Sequence, residues 1–316
     1  MTTNLLIRPL LDTDTDGVVR LYDMASRVEN GIGPITPAQW QGFVGRSRSV
    51  NGRDFRVALV GTDLIGLAES ALRDQGSRLV RYIKLIVDPA FRRRGVGTQL
   101  LGSVLEQDSD ETVSLHGHTQ TSWSAGRAFA ETKGFSIIES EYRMHCPSFD
   151  PSSDPVGETL VARVEEPSIL AWRLAEIHNA AFREDVSFTR HTADDMLAKL
   201  EGMQLWSALL FGRTVGHAIV DPDPHSVWLE SLAVDPKFQG RGIGRALVVC
   251  SLRGSMGRAA SSAGLSVSSQ NQIALRLYKR LGFEPVSEKL RYAASRRVLL
   301  TRSGHHSTQS RLRMTH

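Results

Sequence analysis

Cysteine is nearly missing from this chain of 316 residues: Cys146 and Cys250 are all there is, far apart in sequence. Two cysteines make neither a disulfide framework nor a zinc-finger spacing, so a reducing compartment is expected. Long apolar runs are missing too. No stretch approaches the roughly 18 residues of a membrane span, and the start, MTTNLLIRPL, reaches a charge and a proline before any signal-like segment forms. A cytoplasmic protein without membrane partners is expected. A strong excess of one charge is also absent. The formal net charge of +4 makes no demand for nucleic acid, and none is expected as a partner; it leaves room for an anionic ligand such as a nucleotide cofactor.

What is present is a repeat. VDPAFRRRGVGTQLL starts at Val87 and VDPKFQGRGIGRALV at Val234, an offset of 234 − 87 = 147, with 8 of 15 positions identical. Chance at ordinary composition gives about one. Lys133-Gly134-Phe135 and Leu281-Gly282-Phe283 repeat at nearly the same offset. Two landmarks in one order and at one spacing indicate duplication of a whole domain. The length suits two domains, and a 41 % hydrophobic fraction suffices for two cores.

Residues 146–158, CPSFDPSSDPVGE, carry three prolines and no apolar periodicity, a linker signature. The expected organisation is an N-terminal domain over 1–146, a linker over 147–158, a C-terminal domain over 159–302 and a disordered tail over 303–316. Each half begins with a strand (Leu5 to Leu10, Leu160 to Ala162) and a helix (through Val18 and Tyr22, and from Pro167 to Phe182). Hairpin strands follow, turning at Gly61-Thr62-Asp63 and Gly212-Arg213-Thr214. A further strand then runs into a glycine-rich loop and a helix. The fold class is α/β, with two similar domains, each a mixed, mostly antiparallel sheet flanked by helices.

In the second half the loop reads Gln239-Gly240-Arg241-Gly242-Ile243-Gly244 and the next helix opens with Arg245. Alternating glycines turn successive N–H groups inward without a Cβ in the way, and the helix start adds unsatisfied N–H groups and the positive end of the helix dipole. This is a seat for a pyrophosphate, with Arg241 and Arg245 able to add charge-assisted bonds. Neither GxxxxGK[ST] nor GxGxxG is satisfied, since Arg245 stands where the latter wants its third glycine.

The pattern [QR]-x-x-G-x-[GA], after a strand ending in a VDP turn, resembles the GNAT acyltransferase superfamily. Gln239, Gly242 and Gly244 fill it in the second half, and Arg92, Gly95 and Gly97 in the first. Asn271-x-x-Ala274-x-x-Leu277-Tyr278 and Leu281-Gly282-Phe283 extend the likeness, which covers nearly the whole chain as two such domains. Among tandem members the layout is similar to mycothiol synthases, including Asn179-Ala180-Ala181-Phe182; some amino-sugar antibiotic acetyltransferases are similar as well. The resemblance implies acetyl-CoA as co-substrate, no metal, and direct transfer to a primary amine in a ternary complex. It places Leu232 at the oxyanion N–H, Val234 and residues 239–245 on the cofactor, Asn271 on the pantetheine arm and Tyr278 as the acid for the departing thiolate.

Period-two alternation sets Trp228, Glu230, Leu232 and Val234 on one strand face. Glu230, two residues before Leu232, is the candidate general base, acting directly or through water; many relatives place theirs where this chain has Trp228. The first domain departs at these places. Ile83 stands for Glu230, Ala130 for Tyr278, and Trp123 or Ser124 for Asn271. It is expected to be non-catalytic, with Arg92, Arg93, Arg94, Gly95, Val96 and Gly97 as a possible second CoA site.

For the acceptor, acidic Glu184 and Asp185 and the flat rings of Trp206 and Trp228 suggest a hydrophilic amine of amino-sugar or aminocyclitol type, such as an aminoglycoside or a mycothiol precursor. Asp194-Asp195 either joins that acidic surface or only starts a helix. A CoA-binding regulatory or scaffold protein without turnover, or a protein N-acetyltransferase, is the alternative. The assembly expected is a monomer or homodimer. His116 and His118 alternate on a strand with no third metal ligand nearby, and Cys250 reads as a packed small hydrophobe.

Overall fold

The computed structural model describes residues 5–29, 32–50, 54–74, 79–107, 113–149, 159–184, 188, 190–222, 226–257 and 261–303, with backbone alone at 46–50, 73–74 and 303. In chain order these residues form β1 (Leu5–Pro9), α1 (Thr15–Ser26), α2 (Pro37–Val50), β2 (Asp54–Val60), β3 (Asp63–Asp74), β4 (Leu79–Val87), α3 (Val96–Leu105), β5 (Ser114–Gln120), α4 (Ser124–Lys133) and β6 (Ser136–Cys146). They continue as β7 (Leu160–Arg163), α5 (Ala171–Ala181), α6 (Ala193–Lys199), β8 (Gln204–Leu210), β9 (Arg213–Asp221), β10 (Ser226–Val234), α7 (Ile243–Ser255), β11 (Ser262–Ser268), α8 (Gln272–Arg280), β12 (Glu284–Ser295) and α9 (Arg296–Ser303).

The chain divides into two compact units, Met1–Ile138 with Leu290–His316, and Glu139–Lys289. The division differs from the linear reading at two strands. Leu290, Tyr292 and Ala294 of β12 are buried with Leu100, Leu115 and Phe135 in the first unit. Met144 and Cys146 of β6, together with Phe149, are buried with Leu265, Tyr278 and Phe283 in the second. Pairing and packing thus give residues 139–146 to the second unit and 290–303 to the first. Of the expected linker, Phe149 is packed in a core and residues 150–158 lie outside the described residues. So do residues 304–316 of the expected tail.

The first unit orders its strands β1-β2-β3-β4-β5 and ends on the second half of β12. The sheet is covered on both faces: α3 supplies Val96, Leu100 and Val104 to one core, while α1 and α2 supply Val18, Leu21, Trp40 and Val44 to the other. The second unit runs β6-β11-β10-β9-β8-β7, with α7 and α8 against one face and α5 and α6 against the other. Glycines let α3 and α7 close on their sheets. A Cβ on Gly66 would meet Leu100 of α3 at 3.0 Å, and one on Gly216 would meet Leu247 of α7 at 3.0 Å.

Each sheet forks at one place. β4 pairs in parallel with β5 only from Val80↔Ser114 to Tyr82↔His116, and β10 with β11 only from Ser226↔Ser262 to Leu229↔Leu265. Beyond Tyr82 and beyond Leu229 one edge of the strand is open. Asp88 N–H donates to Ile65 O and Asp235 N–H to Val215 O, both at 2.9 Å, on the paired side. Backbone groups of a strand alternate between its two edges, so those of Leu85 and Val87, and of Leu232 and Val234, point into the forks.

Candidate active site

Both forks end at the glycine-rich loop, and both loops are built alike. Asp88 and Asp235 follow the strand and accept N–H groups of Ala90 (2.8 Å) and Lys237 (3.1 Å), which starts a short 3-10 turn on the following proline. The first residue of the loop then reaches back: Arg92 Nε donates to Val87 O and Gln239 Nε2 to Val234 O, each at 3.1 Å. Gly95 and Gly242 take left-handed backbone (φ 84° and 80°) as the N-caps of α3 and α7. Where the second loop uses Gly240 at φ 75°, the first forces Arg93 to φ 62°. Such a backbone is costly for a residue with a Cβ and is held only where its surroundings demand it. Arg94 lies over Phe91 and Arg241 over Phe238, their cations 5.3 and 5.5 Å from the ring centres.

Arg173 of α5 secures the second loop. It donates to Thr214 O at 3.0 Å and pairs with Asp235 at 2.8 Å. Burial opposes the Asp235 charge, but the Arg173 and Lys237 donors outweigh it and hold the carboxyl below the usual carboxylate range.

The strand carrying the candidate base is not regular. Leu229 pairs with Val220 and Ser231 with Ile219, consecutive residues of β9, so Glu230 is a bulged, unopposed residue. The bulge overturns the expected single face. Val227 and Leu229 before it, and Leu232 and Val234 after it, all pack toward the core under α7. Trp228 therefore lies on the opposite face from Leu232 and Val234. β4 has no such bulge: Ile83 pairs with Ser70 and Lys84 with Glu69 in unbroken register. Glu230 is exposed and is the first residue past the point where β10 and β11 part.

Tyr278 of α8 is 5 % exposed, packed edge-on to Phe283 with ring centres 6.0 Å apart. Burial pushes its phenol well above the ordinary tyrosine range, so it stays protonated near neutrality. Asn271 caps α8, its Oδ1 accepting Ala274 N–H at 3.0 Å, which leaves the amide NH2 as a donor. In the first unit Trp123 takes that N-cap place and Ala130 that of Tyr278.

The four expected acceptor-side residues fare differently. Glu184 is exposed and pairs with Arg183 at 3.3 Å, and Asp185 lies outside the described residues. Trp206 donates to Ser255 Oγ at 3.2 Å and covers Gly254, so it braces the end of α7 remote from the loop. Trp228 fills the space over Gly264 and carries the Arg143 guanidinium 4.6 Å above its ring. Asp195 completes a capping box with Thr192, the structural alternative for that acidic pair.

Sequence reasoning missed one feature. Asn179 clasps the backbone of His191 through both amide atoms (2.8 and 2.9 Å). That fixes a histidine cluster: His178 lies 4.5 Å from His191 and 6.3 Å from His217, centre to centre. Burial, reinforced for His178 by the neighbouring histidines and for both by Lys199, lowers the pKa of His178 and His217 to about 3. Among the described residues no group of histidine, cysteine or carboxylate side chains could hold a metal ion. No helix among them is long and apolar enough to cross a membrane.

The loop residues Arg92, Arg93 and Gly95–Gly97, expected as a possible second CoA site, line a cleft of about 690 Å³ in the first unit, together with residues 83–87 of β4 and Thr119 and Gln120 of β5. Thr119 Oγ1 and Gln120 Oε1 are buried there without hydrogen-bond partners.

The acetyltransferase (GNAT) family model matches this chain twice, over residues 26–135 and 171–283. The chain belongs to the GNAT acetyltransferase family. Its two matches fall on the two forked sheets, and it is an N-acetyltransferase of the tandem GNAT type. A mycothiol acetyltransferase of Rhodococcus erythropolis is 26 % identical over 293 residues, covering 87 % of this chain and 94 % of that protein. A mycothiol acetyltransferase of Kineococcus radiotolerans is 30 % identical, covering 68 % and 72 %. Among solved structures, a tandem GNAT protein from the clavulanic acid biosynthesis pathway shares the fold with a TM-score of 0.72 at 19 % identity, over 93 % of this chain and 99 % of that one.

Proposed function

We propose that the C-terminal GNAT domain moves an acetyl group from acetyl-CoA to a primary amine of a small hydrophilic acceptor of amino-sugar or aminocyclitol type, by direct transfer in a ternary complex. The observation that carries this reading is the fork of β10 and β11. It brings an open strand edge, a glycine-rich loop that opens a helix and a bulged carboxylate into one stretch, residues 230–244. Leu232, and Val234 through its N–H, direct backbone groups into the fork to bond the pantetheine arm as an added strand would, and the amide of Asn271 supplements them. The N–H groups of residues 239–244, with Arg241 and Arg245, seat the pyrophosphate.

A lysine-like ammonium costs about 4–5 kcal/mol to deprotonate at pH 7. Glu230, exposed at the fork, takes that proton directly or through water. Leu232 N–H meets the charge that develops on the thioester oxygen. Tyr278, kept protonated by burial, supplies the proton for the thiolate. In the N-terminal domain the loop and the fork remain but the bulged carboxylate and the phenol do not, so this domain holds CoA without turnover. The names of the curated relatives support a mycothiol precursor as acceptor; an aminoglycoside is the other candidate. Release of free CoA thiol on adding each amine, with wild type and Glu230→Gln compared, tests the reading. Equal release by both proteins would remove Glu230 from it.

A further inference from the structure

We propose that Lys84 is a self-acetylation site, modified by the thioester that the N-terminal cleft holds; this rests on the reading that the cleft binds acetyl-CoA. The cleft places an amine where an acceptor would stand. Lys84 lines the same cavity as the loop residues Arg92 and Gly95–Gly97. It directly precedes Leu85, whose N–H points into the fork and corresponds to that of Leu232. Its side chain turns toward α1, where Nζ donates to Tyr22 Oη at 2.9 Å and sits 4.9 Å from the centre of that ring. Ile32 and Ile35, packed on the core that holds Tyr22, line the same cleft. Thr119 Oγ1 and Gln120 Oε1, at the end of β5 that lines the cleft, are buried without partners, polar groups that a ligand with its own polar groups would satisfy.

An amine held beside a bound thioester reacts as an intramolecular partner, with an effective concentration far above that of a free amine. Lys84 first loses one ammonium proton to water. Nζ then attacks the thioester carbonyl, the C–N bond forms, the C–S bond breaks, and the second amine proton ends on sulfur as CoA thiol. With Ile83 and Ala130 offering neither base nor acid, the transfer is slow and ends after one event.

The experiment uses full-length Gly242→Asp protein, whose C-terminal loop is disabled, incubated with acetyl-CoA and followed by intact mass and peptide mapping. Calorimetry on the same protein measures acetyl-CoA binding to the remaining cleft. One acetyl group on Lys84 is expected, arriving at least about ten-fold faster than on exposed Lys237 or Lys279. Lys84→Arg should abolish it, and Gly95→Asp should slow it to the rate of those surface lysines. Binding without acetylation of Lys84, acetylation of Lys133 in its place, or a rate indifferent to Gly95→Asp would overturn the inference and leave the binding site standing. Absence of binding would overturn both.

Discussion

Ile83 and Leu229 occupy equivalent places opposite the preceding strand: counted back from Val87↔Gly66 and Val234↔Gly216, Ile83 pairs with Ser70 of β3 and Leu229 with Val220 of β9. Lys84 and Ser231 are equivalent in the same way, so Glu230, between Leu229 and Ser231, is one extra residue with no counterpart in β4. Removing it should let β10 pair as regularly as β4 does. The deletion variant is expected to fold and to keep CoA affinity within a few-fold, while losing acetyl transfer by about 10²-fold or more. Circular dichroism, calorimetry and a thiol-release assay check the three parts. Activity surviving the deletion would show that the bulge does not carry the base.

Tyr278→Phe removes only a hydroxyl from a packed ring. The rate is expected to fall by about 10²-fold or more if proton donation to the thiolate limits turnover, with the affinity for acetyl-CoA little changed. A single-turnover measurement with acetyl-CoA and acceptor separates the two. Because Tyr278 packs on Phe283, melting temperature is recorded alongside to detect a packing defect.

Gly242→Asp sets a carboxylate at the N-cap of α7, against the expected pyrophosphate. CoA binding to the C-terminal domain should weaken by about ten-fold or more, since an anion there opposes a charge-assisted site. Turnover should fall with it. Gly95→Asp, the same change at α3, is expected to leave acceptor turnover near wild type. The opposite pattern would move the chemistry to the N-terminal domain.

His178 and His217 make the C-terminal domain sensitive to acid. Their folded pKa of about 3 lies below the ordinary 6.5, so the folded state refuses protons that the unfolded state accepts. Their contribution is full above about pH 6.5 and is lost as pH falls toward 3, with a slope up to about 1.4 kcal/mol per pH unit for each. Lys199 and His191 face the same cluster and oppose its protonation. Urea unfolding followed by fluorescence should show a falling midpoint from pH 7 to pH 5, and His217→Leu should flatten that dependence. An unchanged slope in the variant would mean that these imidazoles titrate as freely folded as unfolded.

The duplicated loop was legible because glycine at a left-handed N-cap has few substitutes: Gly95 and Gly242 stand at matched places in two otherwise diverged sequences. The strand that carries Trp228 to Val234 into the second loop also came through, because burial alternates along it. The bulge was hidden by that same alternation. Trp228-Leu229-Glu230-Ser231-Leu232 reads as one continuous period-two strand, and only the pairing of Leu229 and Ser231 with adjacent residues of β9 exposes the extra residue. The assignment of residues 139–146 and 290–303 was illegible for a related reason. A strand shows in sequence which side chains are apolar, and not which neighbouring strand it will join. Trp206 and Trp228 looked like open aromatic faces because an indole gives no sign in sequence of Gly254 or Gly264 beneath it.

The most direct test of amine acetylation by the C-terminal domain is a competition assay over amino sugars, polyamines, amino acids and lysine peptides, with CoA thiol release recorded for wild type and for Glu230→Gln. An amino-sugar or aminocyclitol amine is expected to be turned over fastest, with Glu230→Gln slower. Peptide turnover well above that of every amino-sugar amine, or equal rates for wild type and Glu230→Gln, would contradict it.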